Sequence, residues 1–187
     1  MSGTLLIGDV HGCADELGEL LQQVQPHRVI LLGDLFTRGP DPGGVWSLIE
    51  AWEAEAVLGN HDLDMLRGGK PSKSLPPEAL AWLAACPLWI EEESWIAVHA
   101  AVHPKGLAKT SKRLATGQRT LKGTPWFKRY RGDKLVVHGH AAARKVRDRR
   151  PHSLGLDTGC VRGGQLTGWI AEKNKIVTVP ALRDWTR

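Results

Sequence analysis

The sequence predicts an α/β fold of two packed mixed β-sheets flanked by helices. Three observations predict it. Apolar runs of strand length alternate with amphipathic helical stretches over residues 4–58, a β-α-β-α-β order that implies parallel strands and right-handed crossovers. Three of those runs end alike: residues 4–7 enter Gly8-Asp9, residues 29–32 enter Gly33-Asp34, and residues 56–58 enter Gly59-Asn60. Beyond residue 134 the chain breaks into short apolar runs without helical period, which read as strands of a second sheet packed on the first.

Each element has a local reason. Leu17, Leu20, Leu21 and Val24 recur at helical spacing, with Asp15 and Glu16 in the first turn where the helix dipole favours acids. Gln25-Pro26-His27 ends that helix before a strand at 28–32. Gly39, Pro40 and Pro42 break the chain, and Val45, Leu48, Ile49 and Trp52 form the stripe of a second helix. A strand follows at 55–58. A short helix is expected over 62–67, a loop over 68–72, and a helix opened by Pro76-Pro77. Residues 88–91 and 95–98 read as a hairpin turning at Glu92-Glu93-Ser94. Residues 100–132 have poor periodicity and read as a short helical excursion over the site. Strands are expected at 134–137, 153–156, 166–170 and 176–179, the last three in the second sheet.

The 187 residues suit a single domain, 1–187. No apolar run approaches the roughly 18 residues of a membrane span, and the first strand leaves no room for a signal peptide, so a cytoplasmic protein is expected. Cys13, Cys86 and Cys160 form neither a CxxC pair nor a disulfide framework. The net charge of +5 is unevenly spread: residues 1–104 carry 5 Lys+Arg against 15 acids, and residues 105–150 carry 15 against two, Asp133 and Asp148. A basic middle of this kind attracts an anionic substrate. No stable nucleic-acid complex is expected.

The chemistry-bearing residues fall at strand ends. They are Asp9, His11, Asp34, Asn60, His61, His99 and His140, the last two following the apolar runs 95–98 and 135–137. Strand ends at the carboxyl edge of an open α/β sheet lie side by side and form its site. Carboxylate, amide and imidazole together suit divalent Mn, Fe, Co, Ni or Zn. The donors suffice for two ions, with Asp34 able to bridge them. Such a centre activates water for in-line attack on phosphorus. His138, two residues before His140, reads as a supporting or packing residue. In Pro125-Trp126-Phe127-Lys128-Arg129-Tyr130-Arg131, cations interleave with aromatics, and Trp126 and Arg131 are candidates to stack a base and hold phosphate.

These motifs resemble the calcineurin-like metallophosphoesterase superfamily, in its phosphoprotein-phosphatase branch, over nearly the whole chain. Gly8-Asp9-Val10-His11-Gly12 is similar to the signature GDxHG, Gly33 to Gly39 to GDxxDRG, and Gly59-Asn60-His61-Asp62 to GNH[DE], followed by the lone His99 and by Gly139-His140. The resemblance implies a metallophosphoesterase β-sandwich with two divalent ions, manganese first among those named. It implies Asp9 and His11 on one ion, Asn60, His99 and His140 on the other, and Asp34 between them. His61 would protonate the leaving oxygen and Arg38 would clamp the phosphoryl group.

Departures bear on the substrate. Thr37 stands where protein phosphatases of the branch have an Asp that orients the catalytic histidine, and Asp62 where they usually have Glu. The combination, with Leu156 to Gly164, is similar to the symmetrical bis(5′-nucleosyl)-tetraphosphatases, which cleave diadenosine tetraphosphate into two ADP. Arg162 replaces an aromatic usual in that branch, and the chain is short for it, so its insertions are trimmed. A dinucleoside polyphosphate is therefore the expected substrate. A phosphoprotein, cleaved as by a compact bacterial serine/threonine phosphatase, is the alternative, and a binding module without catalysis is a distant third.

Overall fold

A computed structural model describes residues 2–69 and 74–187. Strand β1 (Ser2–Ile7) leads to helix α1 (Ala14–Val24), β2 (Pro26–Leu31), α2 (Pro42–Ala51), β3 (Glu55–Ala56), α3 (Asn60–Leu66) and α4 (Pro77–Ala85). The hairpin β4 (Trp89–Glu91) and β5 (Trp95–Val98) follows, then α5 (Lys112–Gly117) and the small ladder β6 (Thr120–Leu121) and β7 (Thr124–Pro125). The chain finishes with β8 (Leu135–His138), β9 (Arg147–Arg149), β10 (Ser153–Gly155), β11 (Gln165–Ile170) and β12 (Lys175–Pro180). Of the loop expected over 68–72, residues 70–72 lie outside the described residues.

Local chemistry sets the boundaries. Helix α1 buries Leu17, Leu20, Leu21 and Val24 and ends at Gln25, whose left-handed backbone (φ 49°) lets its N–H donate to Leu21 O. Pro26 then cannot continue the helix. Helix α2 starts with Pro42 in its first turn after Asp41, whose carboxylate accepts from Gly44 N at 2.8 Å, supplying a partner for an otherwise orphaned donor.

The strands form two five-stranded mixed sheets, β12-β11-β1-β2-β3 and β4-β5-β8-β10-β9. Within each, three neighbours run parallel: β1, β2 and β3 in the first, β5, β8 and β10 in the second. Side chains alternate between the faces of each strand. Leu5 and Ile7 of β1 face the helical layer with Leu17, Leu20, Val45 and Ile49. Leu6 points the other way, into the seam between sheets, with Ile30, Leu32, Trp95, Val137, Leu154 and Trp169. Ile96, Val98 and Val136 cover the far face with Leu114, Trp126 and Tyr130. Apolar burial thus runs through three layers. Among the described residues, no helix is long and apolar enough to cross a membrane.

The tail departs from expectation. Only β10 joins the second sheet, whereas β11 pairs antiparallel with β1 and carries β12 to the edge of the first sheet. Residues Leu166 to Ile170 are all buried, and a strand buried on both faces belongs in a sheet interior, here beside β1. Strand β9 is an additional edge strand, unforeseen because its Arg147-Asp148-Arg149 has no apolar member. Strand β3 is two residues long, and Val57 and Leu58 continue beyond it as buried loop.

Leu6 is fully buried between the sheets. Leu6→Ala is expected to lower the unfolding free energy by about 2–5 kcal/mol, the range for truncating a buried leucine. Urea denaturation read by tryptophan fluorescence measures this.

Candidate active site

Six strand ends deliver the site, three from each sheet. Asp9 and His11 follow β1, Asp34 follows β2, and Asn60 and His61 follow β3 at the start of α3. His99 follows β5, His140 follows β8, and Asp157 follows β10. The backbone there is unusual. Gly33 has φ 86°, and His11 (48°), Asp34 (55°), Arg38 (72°) and His140 (63°) all occupy the left-handed region. Such conformations cost about 1–3 kcal/mol each outside glycine and persist where surrounding contacts impose them. At Gly33 a side chain is also sterically barred, since a Cβ would lie 2.6 Å from Gly59 N.

Asp62 supplies much of the constraint. It is fully buried. Its Oδ2 accepts from Asp34 N at 2.7 Å and Gly59 N at 2.8 Å, and its Oδ1 from Leu35 N at 3.0 Å. One carboxylate therefore locks the loop bearing Asp34 to the loop bearing Asn60 and His61. Asp34 Oδ1 in turn accepts from His61 N at 2.9 Å. Across the sheets, His140 N donates to Asp9 Oδ1 at 3.0 Å, and His99 Nδ1 donates to Leu32 O at 2.7 Å. That bond fixes the His99 tautomer and turns Nε2 toward the pocket.

The free donors converge. His99 Nε2 lies 3.3 Å from Asn60 Oδ1 and 3.2 Å from His140 Nδ1, and 3.5 Å from Asp34 Oδ2. His11 Nε2 lies 3.7 Å from the same Asp34 Oδ2 and 4.0 Å from Asp9 Oδ2. Two groups result, His11-Asp34-His61 and Asp34-His99-His140, each with donor atoms within 4.8 Å of one another. Asp34 belongs to both. This donor set fits two divalent ions sharing a carboxylate.

The electrostatics fit the same answer. Burial raises the Asp9 carboxyl well above its ordinary range, helped by Asp157 and Asp34, and lifts Asp34 to about 6. Burial, with neighbouring cations, lowers His11 to about 3. It also brings His99 and His140 to about 4. Buried carboxylates that resist ionisation and imidazoles that stay neutral suit a site in which a bound cation balances the carboxylate charge.

The site occupies a cavity of about 400 Å³ with Arg38, Arg119 and Arg162 on its walls. Arg38 Nη2 donates to His61 Nε2 at 3.0 Å. Thr37 Oγ1 lies 3.0 Å from His11 Nδ1, so this departure from the family pattern steadies His11 rather than His61. Two further grooves adjoin the cavity. One, of about 610 Å³, shares Ala142, Gly159 and Arg162 with it and continues past Arg144. The other, of about 760 Å³, shares Asn60 and Arg119 and continues past Arg67, Lys112 and Arg113.

The site gathers all seven strand-end residues and Arg38. It does not gather the two expected substrate contacts. Trp126 is 2 % exposed and packs edge-on against Phe127, Tyr130 and His138. Arg131 bonds Tyr130 O and lines neither the cavity nor its grooves. In that segment the rings turn inward beneath the second sheet, while Arg147 and Arg149 cover Phe127 from outside. His138 is buried in the same cluster, its Nδ1 donating to Gly139 O at 3.1 Å, consistent with a packing role. Asp157 was overlooked. It is buried beside Asp9 and lines the cavity, and it too is an acid at the end of an apolar run, though without the glycine that precedes Asp9 and Asp34. Cys13 and Cys160 lie buried with Glu16 between the site loops and the chain end, where Glu16 Oε1 accepts from Leu182 N at 3.0 Å.

Fold and donor set together describe a metal-dependent phosphoesterase. The calcineurin-like phosphoesterase model matches residues 4–176, and the chain belongs to that family. It is thus a hydrolase of phosphoester or phosphoanhydride bonds in a family that works with divalent metals. The chain is 26 % identical to the asymmetrical bis(5′-nucleosyl)-tetraphosphatase PrpE of Geobacillus, over 94 % of this chain and 93 % of that protein. It is 27 % identical to the symmetrical bis(5′-nucleosyl)-tetraphosphatase of Vibrio parahaemolyticus, over 96 % and 99 %. A solved structure proposed to be a diadenosine tetraphosphatase superposes with a TM-score of 0.85 at 29 % identity, covering 95 % of this chain and 93 % of the other. A metallophosphoesterase from Sphaerobacter thermophilus shares the fold, with a TM-score of 0.62 at 16 % identity over 96 % of this chain and 88 % of the other.

Two outcomes follow from this geometry. Asp62→Ala leaves three backbone N–H groups without their acceptor, at about 1–3 kcal/mol each, so chemical denaturation is expected to show a loss of several kcal/mol. Asp62→Asn retains an acceptor oxygen and is expected to lose less. Manganese affinity is expected to fall as pH drops toward about 6, as Asp9 and Asp34, both raised by burial and by repulsion from neighbouring carboxylates, take up protons. The sign follows from a raised carboxyl pKa, since metal must displace a proton held up to that pH. The histidines, already neutral above about 4, contribute little to the fall. Titration calorimetry at pH 5.5 and 7.5 in two buffers reads both affinity and proton release.

Proposed function

We propose that residues 1–187 form one catalytic domain, a two-metal phosphohydrolase of dinucleoside polyphosphates that cleaves diadenosine tetraphosphate into two ADP. The observation that carries this reading is the pair of cation-lined grooves that leave the cavity past different residues, one past Arg162 and the other past Arg119. A phosphoserine presents a terminal phosphate and extends from the reacting phosphorus in one direction only. A phosphorus inside a polyphosphate chain extends in two, and this cavity continues into two separate grooves that both carry positive charge. The tetraphosphatase names of the relatives support the same substrate. The likeness to the symmetrical tetraphosphatase of Vibrio parahaemolyticus supports the symmetrical cut.

In this reading Asp9 and His11 hold one ion, Asn60, His99 and His140 the other, and Asp34 serves both. Nitrogen and oxygen donors in this mixture suit manganese, with iron, cobalt, nickel or zinc as alternatives. When bound, the two cations supply Lewis acidity at the phosphoryl oxygens and lower the pKa of the attacking water. The chain's own groups do the rest. Arg38 leaves His61 to grip the phosphoryl oxygens, in the bidentate geometry that guanidinium favours. His61, held by its backbone bond to Asp34, gives a proton to the leaving oxygen. The His61 Nε2 lone pair accepts from Arg38 Nη2 at 3.0 Å, and once Arg38 turns to the phosphoryl group that nitrogen is left to carry the proton. Thr37 steadies His11, and Arg119 and Arg162 hold the phosphates flanking the reacting one. Free cysteines and the lack of a spanning helix among the described residues support a cytoplasmic setting.

With manganese, diadenosine tetraphosphate is expected to yield ADP alone, read by ion-exchange chromatography. ATP with AMP would move the cut to one side, and a phosphopeptide preferred by tenfold or more would replace this substrate with a phosphoprotein. His61→Asn is expected to keep bound manganese and lose about 10²- to 10⁴-fold in kcat, the usual worth of a proton donor. Asp34→Asn is expected to lose manganese from both positions, which metal analysis after gel filtration measures.

A further inference from the structure

We propose that this chain also hydrolyses inorganic linear polyphosphate, cutting within the chain rather than from its ends. The inference rests on the catalytic reading above and extends its substrate class from dinucleotides to phosphate chains that carry no base. It comes from what lines the grooves. Beyond Arg162 the wall continues to Arg144 with alanine, glycine, Thr158 and Gln165. Beyond Arg119 it continues to Lys112 and Arg113 on α5. None of the chain's eight Trp, one Tyr and two Phe lines the cavity or either adjoining groove. All eleven are described, and none is exposed.

Proteins that hold unpaired bases stack them on aromatic faces. These walls offer no such ring. They offer fixed positive charge, which attracts a polyanion without regard to what terminates it. Most of the recognition energy then comes from the phosphate chain, and removing both nucleosides costs little. Because two separate grooves with positive walls continue from the cavity, a long chain that enters one and leaves by the other presents an internal phosphorus.

The reaction consumes one water per cut. The water oxygen bonds to the internal phosphorus as the P–O bond to the next phosphate breaks, with its electron pair left on that oxygen. One water proton goes to the departing oxygen through His61 and the other is released or retained according to pH. Two shorter chains result, with no change of oxidation state.

The test uses the manganese-loaded enzyme with long-chain inorganic polyphosphate and, in parallel, diadenosine tetraphosphate. Polyphosphate is expected to give a kcat/KM within about tenfold of the dinucleotide, and early time points on a gel are expected to show intermediate lengths. Arg144→Glu and Arg113→Glu each reverse a charge in a different groove at an exposed position. Each is expected to lower kcat/KM for polyphosphate by tenfold or more while circular dichroism and Tm stay unchanged. Efficient dinucleotide cleavage with polyphosphate slower by more than tenfold overturns the inference and leaves the dinucleotide reading intact. Release of orthophosphate alone overturns internal cutting, and unchanged rates in both charge-reversed variants overturn the groove assignment. Polyphosphate cleavage without dinucleotide cleavage upholds the inference and overturns the dinucleotide substrate. Loss of both activities with manganese bound overturns both.

Discussion

The hydrogen bonds that backbone N–H groups donate to the Asp62 carboxylate are the constraint on which the site depends. Asp62 holds Asp34 N, Leu35 N and Gly59 N, and so fixes two loops that leave neighbouring parallel strands. Asp34 is held in a left-handed backbone conformation that a loose loop would relax. Its carboxylate then bonds His61 N and still presents an oxygen to both His11 and His99. Asp34, His61 and Asn60 are thereby placed by one buried side chain that does not itself line the cavity.

Burial has an electrostatic cost here. Asp9, Asp34, Asp62 and Asp157 all have raised carboxyl pKa values, with desolvation the first cause in each. Repulsion between them adds to it. Backbone donors offset part of this at all four. The remainder is an environment that favours positive charge, which is what a site for divalent ions requires. Arg38, Arg119 and Arg162 line the walls of the same cavity, where they meet an anionic substrate.

The two-sheet architecture makes this concentration possible. Each sheet contributes three parallel strands, and bonds such as His99 Nδ1–Leu32 O and His140 N–Asp9 Oδ1 tie the ends of one sheet to the other. The apolar seam around Leu6 and Val137 sets the spacing that these bonds need. Packing between the sheets and geometry at the donors are therefore coupled.

What the sequence determined by itself was local and repeated. Apolar strands ending in Gly-Asp, Gly-Asn-His or a lone histidine identified Asp9, His11, Asp34, Asn60, His61, His99 and His140, because a polar residue at a buried strand end has few uses besides a site. Helices α1 and α2 were legible from one apolar stripe each, and the two-sheet class from the strand pattern. The tertiary structure alone decided the rest. Strand β11 lies beside β1 rather than in the second sheet, since short apolar strands carry no record of their partner. Trp126 and Arg131 are away from the site, since interleaved aromatics and cations describe a covered core edge as well as a binding face. Arg119 and Arg162 stand at the exits of the cavity, and Asp157 is pressed against Asp9. Those placements depend on contacts between residues far apart in the chain, which spacing along one segment does not encode.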